Sequence, residues 1–248
     1  MNSNYILVTG SSSGIGKQVA IQLSQNNNVI LHGRDSVRLN EVKLLCNQDY
    51  KQLIWINDLS FTTEVESSLT NFISDCNIQI DKYVHCAGFM KLAPLKMSTL
   101  EVLNATFNTN VISTSLICKV LTQKKANNGA LIASVFISSN LSNMGAKAMS
   151  AYGASKGALD TLMRCLAVEL APKVRINSVL PGAVLTEMTQ EIFKNQDVKS
   201  RMEATYPLGI GEPIDISNMV DFLLSDKAKW ITGQQFTVDG GRSINISG

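Results

Sequence analysis

The sequence predicts an α/β fold in which helices cover both faces of a doubly wound parallel β-sheet. Short runs that are apolar at every position alternate with segments of helical periodicity, and no linker or internal repeat interrupts them. Continuous apolar runs are typical of strands buried on both faces, as in parallel sheets. Because the 248 residues are 45% apolar and 17% charged, we expect a single domain over residues 1–248.

Strands and helices alternate through the first half of the chain. The predicted strands are the apolar runs Tyr5–Val8, Val29–His32, Leu53–Ile56 and Lys82–Cys86. Between them, apolar residues recur three or four positions apart, which is the period of a helix buried on one face. The predicted helices follow Gly16, run through Leu39, Val42 and Leu45, and span Thr62–Cys76. Asp35 or Ser36 is the predicted cap of the second helix.

The second half continues the alternation and adds an insertion. A long helical stretch covers residues 98–125 and contains Asn110, which needs a polar partner if it faces the sheet. The remaining predicted elements are strands at Ala130–Ile137, Val174–Leu180 and Gln235–Val238, and helices at Tyr152–Ala171 and Asp215–Leu224. Residues 186–213 are richer in methionine, phenylalanine and glycine, and we interpret them as a substrate lid.

The bulk properties exclude several classes of partner. The formal net charge is only +2 and no basic stripe is present, so we expect no nucleic-acid partner. No apolar run approaches the roughly 18 residues that span a bilayer, and residues 1–4 do not begin a secretory signal. The five cysteines are scattered without metal-ligand spacing. These features favour free thiols in the cytoplasm and predict no metal site.

A glycine-rich turn follows the first predicted strand. The sequence there is Thr9-Gly10-Ser11-Ser12-Ser13-Gly14-Ile15-Gly16, and a helical pattern follows at once. Glycines allow close approach of a ligand, and a helix N-terminus presents free amides and positive dipole charge to a diphosphate. We therefore predict a dinucleotide site. Its expected contacts here are Gly10, Ser12, Ser13, Gly14, Ile15 and Gly16.

The end of the second strand predicts which dinucleotide binds. An acidic residue at this point favours NAD, whereas an arginine favours the 2′-phosphate of NADP. Gly33 stands at the acidic position and Arg34 follows it, so we predict NADP(H). Asp35 leaves NAD(H) open, because a shift of two residues would restore an acid. Beyond the third strand, Asp58-Leu59 is predicted to contact the adenine, although Asp58 could instead cap the next helix.

A tyrosine and a lysine one helical turn apart supply candidate chemistry. Tyr152 and Lys156 share a helix face, and a nearby ammonium favours the phenolate and lowers the pKa of a tyrosine. Such a phenol can transfer protons near neutral pH. Ser139, after the fifth strand, could contact the same substrate oxygen. The predicted sheet places Gly10, Gly88, Ser139 and Pro181 at the carboxyl ends of strands, where ligands bind.

These motifs together resemble those of the short-chain dehydrogenase/reductase family, over essentially the whole chain. The cofactor motif T-G-x-x-x-G-x-G matches Thr9–Gly16, and Y-x-x-x-K matches Tyr152 and Lys156. The other matches are the family serine at Ser139 (or Ser138 in the alternative register), the helix asparagine at Asn110, the P-G pair at Pro181-Gly182, the cofactor-amide threonine at Thr186 and the terminal run Thr237–Gly241.

The resemblance implies a Rossmann fold of about seven strands and a carbonyl/alcohol oxidoreductase. In this family Tyr152 would donate a proton to the substrate oxygen and Ser139 would orient that oxygen. Lys156 would depress the pKa of the tyrosine and hold the nicotinamide ribose, and Asn110 would hold a relay water. Small residues at Ala87-Gly88 would let the cofactor lie close. The family also implies a homotetramer or homodimer.

One family motif is altered in this chain. The N-N-A-G run reads His85-Cys86-Ala87-Gly88, so Cys86 replaces an asparagine that helps to secure the central sheet. A thiol is a poorer hydrogen-bond partner than an amide, so this change bears on local stability. His85 and Cys86 lack partner ligands at a suitable spacing, which favours a packed strand end over a metal site.

Three functional hypotheses remain open from the sequence. The first is an NADP(H)-dependent reductase like those of 3-oxoacyl thioesters, sugars or polyketides. The second is an NAD-dependent alcohol or sugar dehydrogenase, and the third is a non-catalytic cofactor-binding scaffold. The substrate is a small carbonyl or alcohol that the sequence does not identify. Met144, Met149 and Met188 are the predicted substrate contacts, because methionines form adaptable apolar walls.

Overall fold

Seven parallel strands form the central sheet of the protein. The computed structural model describes residues 4–194 and 196–245. The strands are β1 Asn4–Thr9, β2 Val29–Gly33, β3 Gln52–Ile56, β4 Gln79–His85, β5 Ala133–Ile137, β6 Arg175–Pro181 and β7 Gln235–Val238. Their order across the sheet is β3-β2-β1-β4-β5-β6-β7. The order reverses between β1 and β4, and ligands of open α/β sheets bind at such a switch point.

Helices cover both faces of the sheet. They are α1 Gly14–Leu23, α2 Ser36–Leu45, α3 Thr62–Cys76, α4 Leu100–Phe107, α5 Ser113–Thr122, α6 Lys124–Asn127, α7 Ser150–Glu169, α8 Glu187–Phe193, α9 Gln196–Thr205 and α10 Pro213–Leu224. Apolar side chains of α3, α5 and α7 pack in one core layer. Those of α1, α2 and α10 pack in the layer on the opposite face. The doubly wound fold is therefore confirmed.

Side chains of each central strand contribute to both core layers. In β1, Tyr5 and Leu7 belong to one layer, and Ile6 and Val8 belong to the other. Burial on both faces explains why the central positions of these strands, such as Tyr5–Val8, are apolar on both faces. All seven predicted strands are present, with ends that differ by a few residues.

The long helical stretch predicted over residues 98–125 is not one regular helix. A π-helical turn at Asn108–Ile112 separates α4 from α5, and the short helix α6 follows after Gln123. In this turn the amide of Ser113 donates to the carbonyl of Asn108, five residues earlier. The wider turn rotates Asn110 into the interior, where its side chain is completely buried. The turn therefore directs a candidate site residue toward the sheet.

Residues 186–213, the predicted lid, contain α8 and α9 and are tied to the end of β6. An isolated bridge pairs Val184 with Gly211, and the hydroxyl of Tyr206 accepts from the amide of Ala183 at 2.9 Å. The segment thus leaves and rejoins the sheet beside Pro181.

Across residues 4–194 and 196–245, no helix combines the length and apolar character that a membrane crossing requires.

Candidate active site

The glycine turn after β1 is packed too closely for any larger residue. Gly10 has a φ of +66°, and a Cβ there would lie 2.7 Å from the backbone of Ala87. A Cβ on Gly16 would lie 2.2 Å from the carbonyl oxygen of Gly10. Ser13 is the N-cap of α1 and makes no side-chain capping bond, so the first-turn amides remain available to an anion. The turn fits a dinucleotide diphosphate.

Arg34 and Asp35 have different roles at the end of β2. The side chain of Arg34 is 73% exposed, and its Nη1 lies 3.5 Å from Oδ2 of Asp58. Asp35 is the N-cap of α2, where its Oδ1 accepts from the amides of Val37 at 2.9 Å and Arg38 at 3.2 Å. The carboxylate of Asp35 is therefore occupied by the helix, and Arg34 is the group that faces solvent.

Asp58 shapes the loop after β3 and does not cap α3. Its Oδ1 accepts from the amide and the hydroxyl of Ser60 at 2.9 and 2.8 Å, whereas Phe61 is the N-cap of α3. The capping alternative is therefore wrong. Burial raises the pKa of Asp58, but the bonds from Ser60 and the charge of Arg34 outweigh it and hold the pKa below its ordinary value. Leu59 is a core residue, so it could reach a cofactor only through its backbone.

Two buried histidines support the backbone behind the glycine turn. Nδ1 of His32 accepts from the amide of Gly10 at 3.4 Å, and the ring lies 4.6 Å from that of Trp55. Burial lowers the pKa of His32 to about 3, so the imidazole is neutral. His32 escaped the sequence analysis because its role depends on the fold of the turn. Within the described ranges, no three His, Cys, Asp or Glu side chains cluster as a metal site.

His85 lies in a hydrogen-bonded cluster at the end of β4. Its Nδ1 lies 2.9 Å from the hydroxyl of Tyr83 and 3.1 Å from that of Thr9. Burial holds the pKa of His85 well below its ordinary value, so this ring is also neutral. Burial likewise raises the pKa of the Cys86 thiol well above its ordinary value. Both residues therefore pack the strand end as neutral groups.

Asn110 clamps the backbone that follows β4. Its Oδ1 accepts from the amide of Phe89 at 2.7 Å, and its Nδ2 donates to the carbonyl of Phe89 at 3.1 Å and to the hydroxyl of Ser155 at 2.9 Å. Both donor hydrogens of the side chain are therefore used. A relay water, which the family implies, would have to bind remaining acceptor positions. Gly88 lies beside this clamp, since a Cβ there would be 3.7 Å from Asn110 Oδ1 and 3.9 Å from Lys156 Nζ.

Ser139, Tyr152 and Lys156 converge where β5 ends and α7 begins. Ser139 is buried, its hydroxyl accepts from the amide of Leu141 at 3.2 Å, and its side chain acts to lower the pKa of Tyr152. Lys156 is 3% exposed, and its Nζ donates to the carbonyl of Ile137 at 2.8 Å. The same Nζ lies 5.6 Å from the centroid of the Tyr152 ring. The predicted catalytic residues therefore form one cluster.

The protonation states in this cluster differ from the sequence prediction. Burial raises the pKa of Tyr152 to about 12, against the smaller lowering effect of its bond to Ser139. Burial also lowers the pKa of Lys156 to about 8, although Asp160 and Cys86 act to raise it. The net upward shift contradicts the prediction of a depressed pKa for Tyr152. Burial sets the direction of the shift, and the ammonium of Lys156 is bound to the Ile137 carbonyl.

Thr186 lies next to the glycine turn although it is far away in sequence. A Cβ on Gly14 would lie 3.1 Å from the Cβ of Thr186, which is the N-cap of α8. Gly182, directly after β6, has room for no side chain, since a Cβ would be 2.8 Å from both Tyr206 and Asp239. The Pro181-Gly182 turn therefore allows Thr186 to reach the start of α1. The structure brings these predicted cofactor residues to one place.

Two of the three predicted substrate methionines line one cavity. The cavity measures about 270 Å³ and lies beside the segment that connects Ser139 with Tyr152. Its lining is Leu141, Ser142, Met144, Gly145, Ala146, Met149, Ser150, Gly153 and Ala154, without a charged side chain. Met188 is 47% exposed on α8 and is not part of this lining. Met188 therefore does not line this cavity, whereas Met144 and Met149 do.

A glycine cradle at the switch point and a Ser/Tyr/Lys cluster beside it define a nicotinamide-dependent oxidoreductase. Residues 10–243 match the family model described as "Enoyl-(Acyl carrier protein) reductase". The chain belongs to the short-chain dehydrogenase/reductase family, whose members act on alcohol and carbonyl groups with nicotinamide cofactors.

Similar proteins extend over nearly the full chain. L-xylulose reductase of Caenorhabditis elegans is 33% identical, covering 97% of this chain and 96% of the relative. Cyclopentanol dehydrogenase of Comamonas testosteroni is 29% identical, covering 99% of both chains. Among solved structures, a short-chain dehydrogenase/reductase from Mycobacterium ulcerans has a TM-score of 0.88 at 30% identity, covering 99% of this chain and 91% of its own. A 4-hydroxyisoleucine dehydrogenase complexed with NADH has a TM-score of 0.89 at 25% identity, covering 97% and 99%.

Proposed function

We propose that this protein is an NADP(H)-preferring carbonyl reductase that can also run in reverse as an alcohol dehydrogenase. The observation that carries the proposal is the convergence of Ser139, Tyr152 and Lys156 beside the glycine turn. Within this class, the exposed guanidinium of Arg34 supports NADP(H), because it is free to meet a 2′-phosphate. Asp35 supports the same conclusion, since its carboxylate is bound to the amides of α2.

The chain's own residues supply proton transfer and orientation. When bound, the nicotinamide supplies or accepts the hydride. Tyr152 donates its phenolic proton to the substrate oxygen, and Ser139 donates a hydrogen bond that orients this oxygen. The ammonium of Lys156 stabilises the phenolate left on Tyr152 and holds the ribose. Asn110 acts on the site through the backbone of Phe89, which it fixes beside Gly88.

The cofactor contacts and the lid complete this proposal. The first-turn amides of α1, from Ser13 to Gly16, would hold the diphosphate, and Thr186 would bind the nicotinamide amide. The small residues Ala87 and Gly88 leave space for the ring. Residues 186–213 close over the substrate as a lid, and their attachment at both ends beside β6 supports this role.

Assembly and location are part of the proposal. Cys46, Cys76, Cys86, Cys118 and Cys165 are all free thiols in the described chain, which supports a reducing cytoplasm. A homodimer or homotetramer is the assembly that membership of the family implies, and it belongs to the proposal on that ground alone.

An NAD-dependent alcohol dehydrogenase is the second candidate. Arg34 pairs with Asp58, and this carboxylate offsets part of the positive charge that a 2′-phosphate would meet. The structural neighbour 4-hydroxyisoleucine dehydrogenase is complexed with NADH.

Fluorescence titration of the purified protein with NADPH and with NADH separates the two candidates. We expect NADPH to bind at least about tenfold more tightly, which corresponds to about 1.4 kcal/mol. Tighter binding of NADH would contradict the NADP(H) preference and direct the substrate search to alcohols. If neither dinucleotide bound, the proposed function would fail altogether.

A further inference from the structure

Asp160 is a buried carboxylate for which the proposed mechanism has no role. Its residue is 1% exposed, and neither carboxylate oxygen has a hydrogen-bond partner in the described part of the chain. An ionised carboxylate in such surroundings destabilises the fold unless an opposite charge compensates it. Asp160 therefore needs a cationic neighbour.

Lys156 is that neighbour. It lies one helical turn before Asp160 on the same buried face of α7, and residues four positions apart on a helix are close neighbours. Lys156 is itself buried, and its Nζ donates to the Ile137 carbonyl. A carboxylate and an ammonium on this shared buried face can offset each other through space, without a direct hydrogen bond.

The other titratable groups that face Lys156 do not supply a negative charge. Tyr152 on α7 has a raised pKa and stays a neutral phenol. Across the site, burial raises the pKa of Cys86 and lowers that of His85, so that both side chains are neutral at neutral pH. Among these groups, Asp160 alone can supply a negative charge to Lys156.

The strands beneath α7 carry two hydroxyl groups, unpartnered among the described residues, on the face of the sheet that α7 covers. Ser134 lies two residues from Phe136 in β5 and therefore on the same face, and Ser178 in β6 is in register with Phe136. Phe136 packs in the core layer of α7. Both serine hydroxyls are buried and lack hydrogen-bond partners in the described chain. This polar layer can tolerate a charge better than a purely apolar one.

We propose that Asp160 is a positioning residue whose carboxylate is the internal counter-charge that keeps Lys156 protonated and directed at the site. Asp160 does not touch the reacting atoms and acts only through Lys156. This inference rests on the proposed function for its meaning in catalysis. The electrostatic relation itself is a property of the folded chain.

Removal of the Asp160 carboxylate is expected to lower the pKa of Lys156. Burial lowers the pKa of Lys156 to about 8, and the charge of Asp160 raises it against that effect. Lys156 is therefore mostly protonated at pH 7. Without the carboxylate, its pKa falls further and the neutral amine becomes the main form near neutral pH. A neutral Lys156 would no longer stabilise a phenolate.

Lysine-selective ¹³Cε NMR of the full-length, cofactor-free protein tests this directly. The signal of Lys156 is identified by its loss in Lys156→Met, and its titration midpoint is then compared between wild type and Asp160→Asn. We expect the midpoint to fall by about one pH unit or more. Glu169→Gln removes an exposed carboxylate from the same helix and should leave the midpoint unchanged. An unchanged midpoint in Asp160→Asn overturns the proposal, whatever the outcome of the cofactor titrations.

If Asp160→Asn folds poorly, a double-mutant cycle of unfolding free energies tests the same proposal. Urea unfolding is measured for wild type, Asp160→Asn, Lys156→Met and the double variant. If the two charges balance each other, Asp160→Asn is destabilising in the wild type and neutral or stabilising in the Lys156→Met background. The proposal is also supported if Asp160→Asn fails to fold by itself but the double variant folds. Equal losses in both backgrounds, or failure of both Asp160→Asn variants to fold, would mean that Asp160 serves helix packing and not Lys156.

Discussion

Replacing Tyr152 by phenylalanine is expected to lower kcat by about 10²- to 10⁴-fold, the range that general acid–base catalysis contributes. The substitution removes only the hydroxyl group of Tyr152, and it keeps the ring beside Lys156. Dinucleotide binding should therefore change little, because the glycine turn and Arg34 are untouched. Steady-state rates and fluorescence titrations of the same preparation measure the two effects.

Tyr50→Phe is the matched control for this experiment. Tyr50 is a partly buried tyrosine that precedes β3, at the edge of the sheet opposite the carboxyl ends of the strands. Removal of its hydroxyl should leave both kcat and dinucleotide affinity unchanged. If Tyr152→Phe retained more than about a tenth of the wild-type kcat, another group would have to donate the proton, and the role of Tyr152 would be wrong.

Removing the side chain of Arg34 should weaken the binding of NADPH but not that of NADH. A charge-assisted hydrogen bond contributes about 1.5–3 kcal/mol, so Arg34→Ala is expected to raise the Kd of NADPH by about 10- to 150-fold. NADH lacks the 2′-phosphate and should bind with nearly unchanged affinity. Asp58 then loses its partner at 3.5 Å, and because this pair is exposed on the arginine side, we expect little change in stability.

Arg164→Ala provides the charge control for Arg34. Arg164 is exposed on α7, and its guanidinium bonds to the hydroxyl of Thr161 in the same helix. The two variants lose the same charge, but only Arg34 lies at the end of β2. If both variants bound NADPH equally more weakly, the cause would be a general charge effect. If Arg34→Ala weakened the binding of NADPH and of NADH equally, a contact to the 2′-phosphate would be excluded.

The sheet was predictable because its determinants are local in sequence. Runs such as Val29–Leu31 are apolar at every position, and strands of a buried parallel sheet favour this pattern. Gly10, Ser139 and Pro181 each stand at the end of a predicted strand. Because parallel strands end at one edge of the sheet, the sequence predicted that these residues lie together. Local chemistry also restricted the cap of α2 to Asp35 or the residue after it, and the structure shows that it is Asp35.

The features that escaped prediction depend on contacts between distant parts of the chain. The π turn at Asn108–Ile112 places Asn110 against Phe89 and Ser155, and apolar periodicity carries no signal for either contact. Asp58 precedes a helix, so its sequence position suggests a cap, yet it bonds to Ser60 in the loop. The direction of the pKa shift of Tyr152 is set by burial, which only the folded structure reveals.

Substrate contacts were the least predictable part of the site. Met144 and Met149 lie on one loop and line the same cavity, whereas Met188 belongs to α8 and remains exposed. Methionine content identifies an adaptable apolar surface but does not show which surfaces meet. The position of α8 depends on the bridge between Val184 and Gly211, which has no local sequence signature.

Deuterium transfer tests the central claim most directly, namely that this chain moves a hydride between a nicotinamide and a carbonyl carbon. The wild-type protein is incubated with NADPH that carries two deuterium atoms at C4 of the nicotinamide and with a panel of uncharged ketones. The alcohol product is then analysed by mass spectrometry and NMR. We expect one deuterium on the carbinol carbon for each NADPH consumed. A product formed without consumption of NADPH, or one whose carbinol hydrogen comes from solvent, would contradict the account.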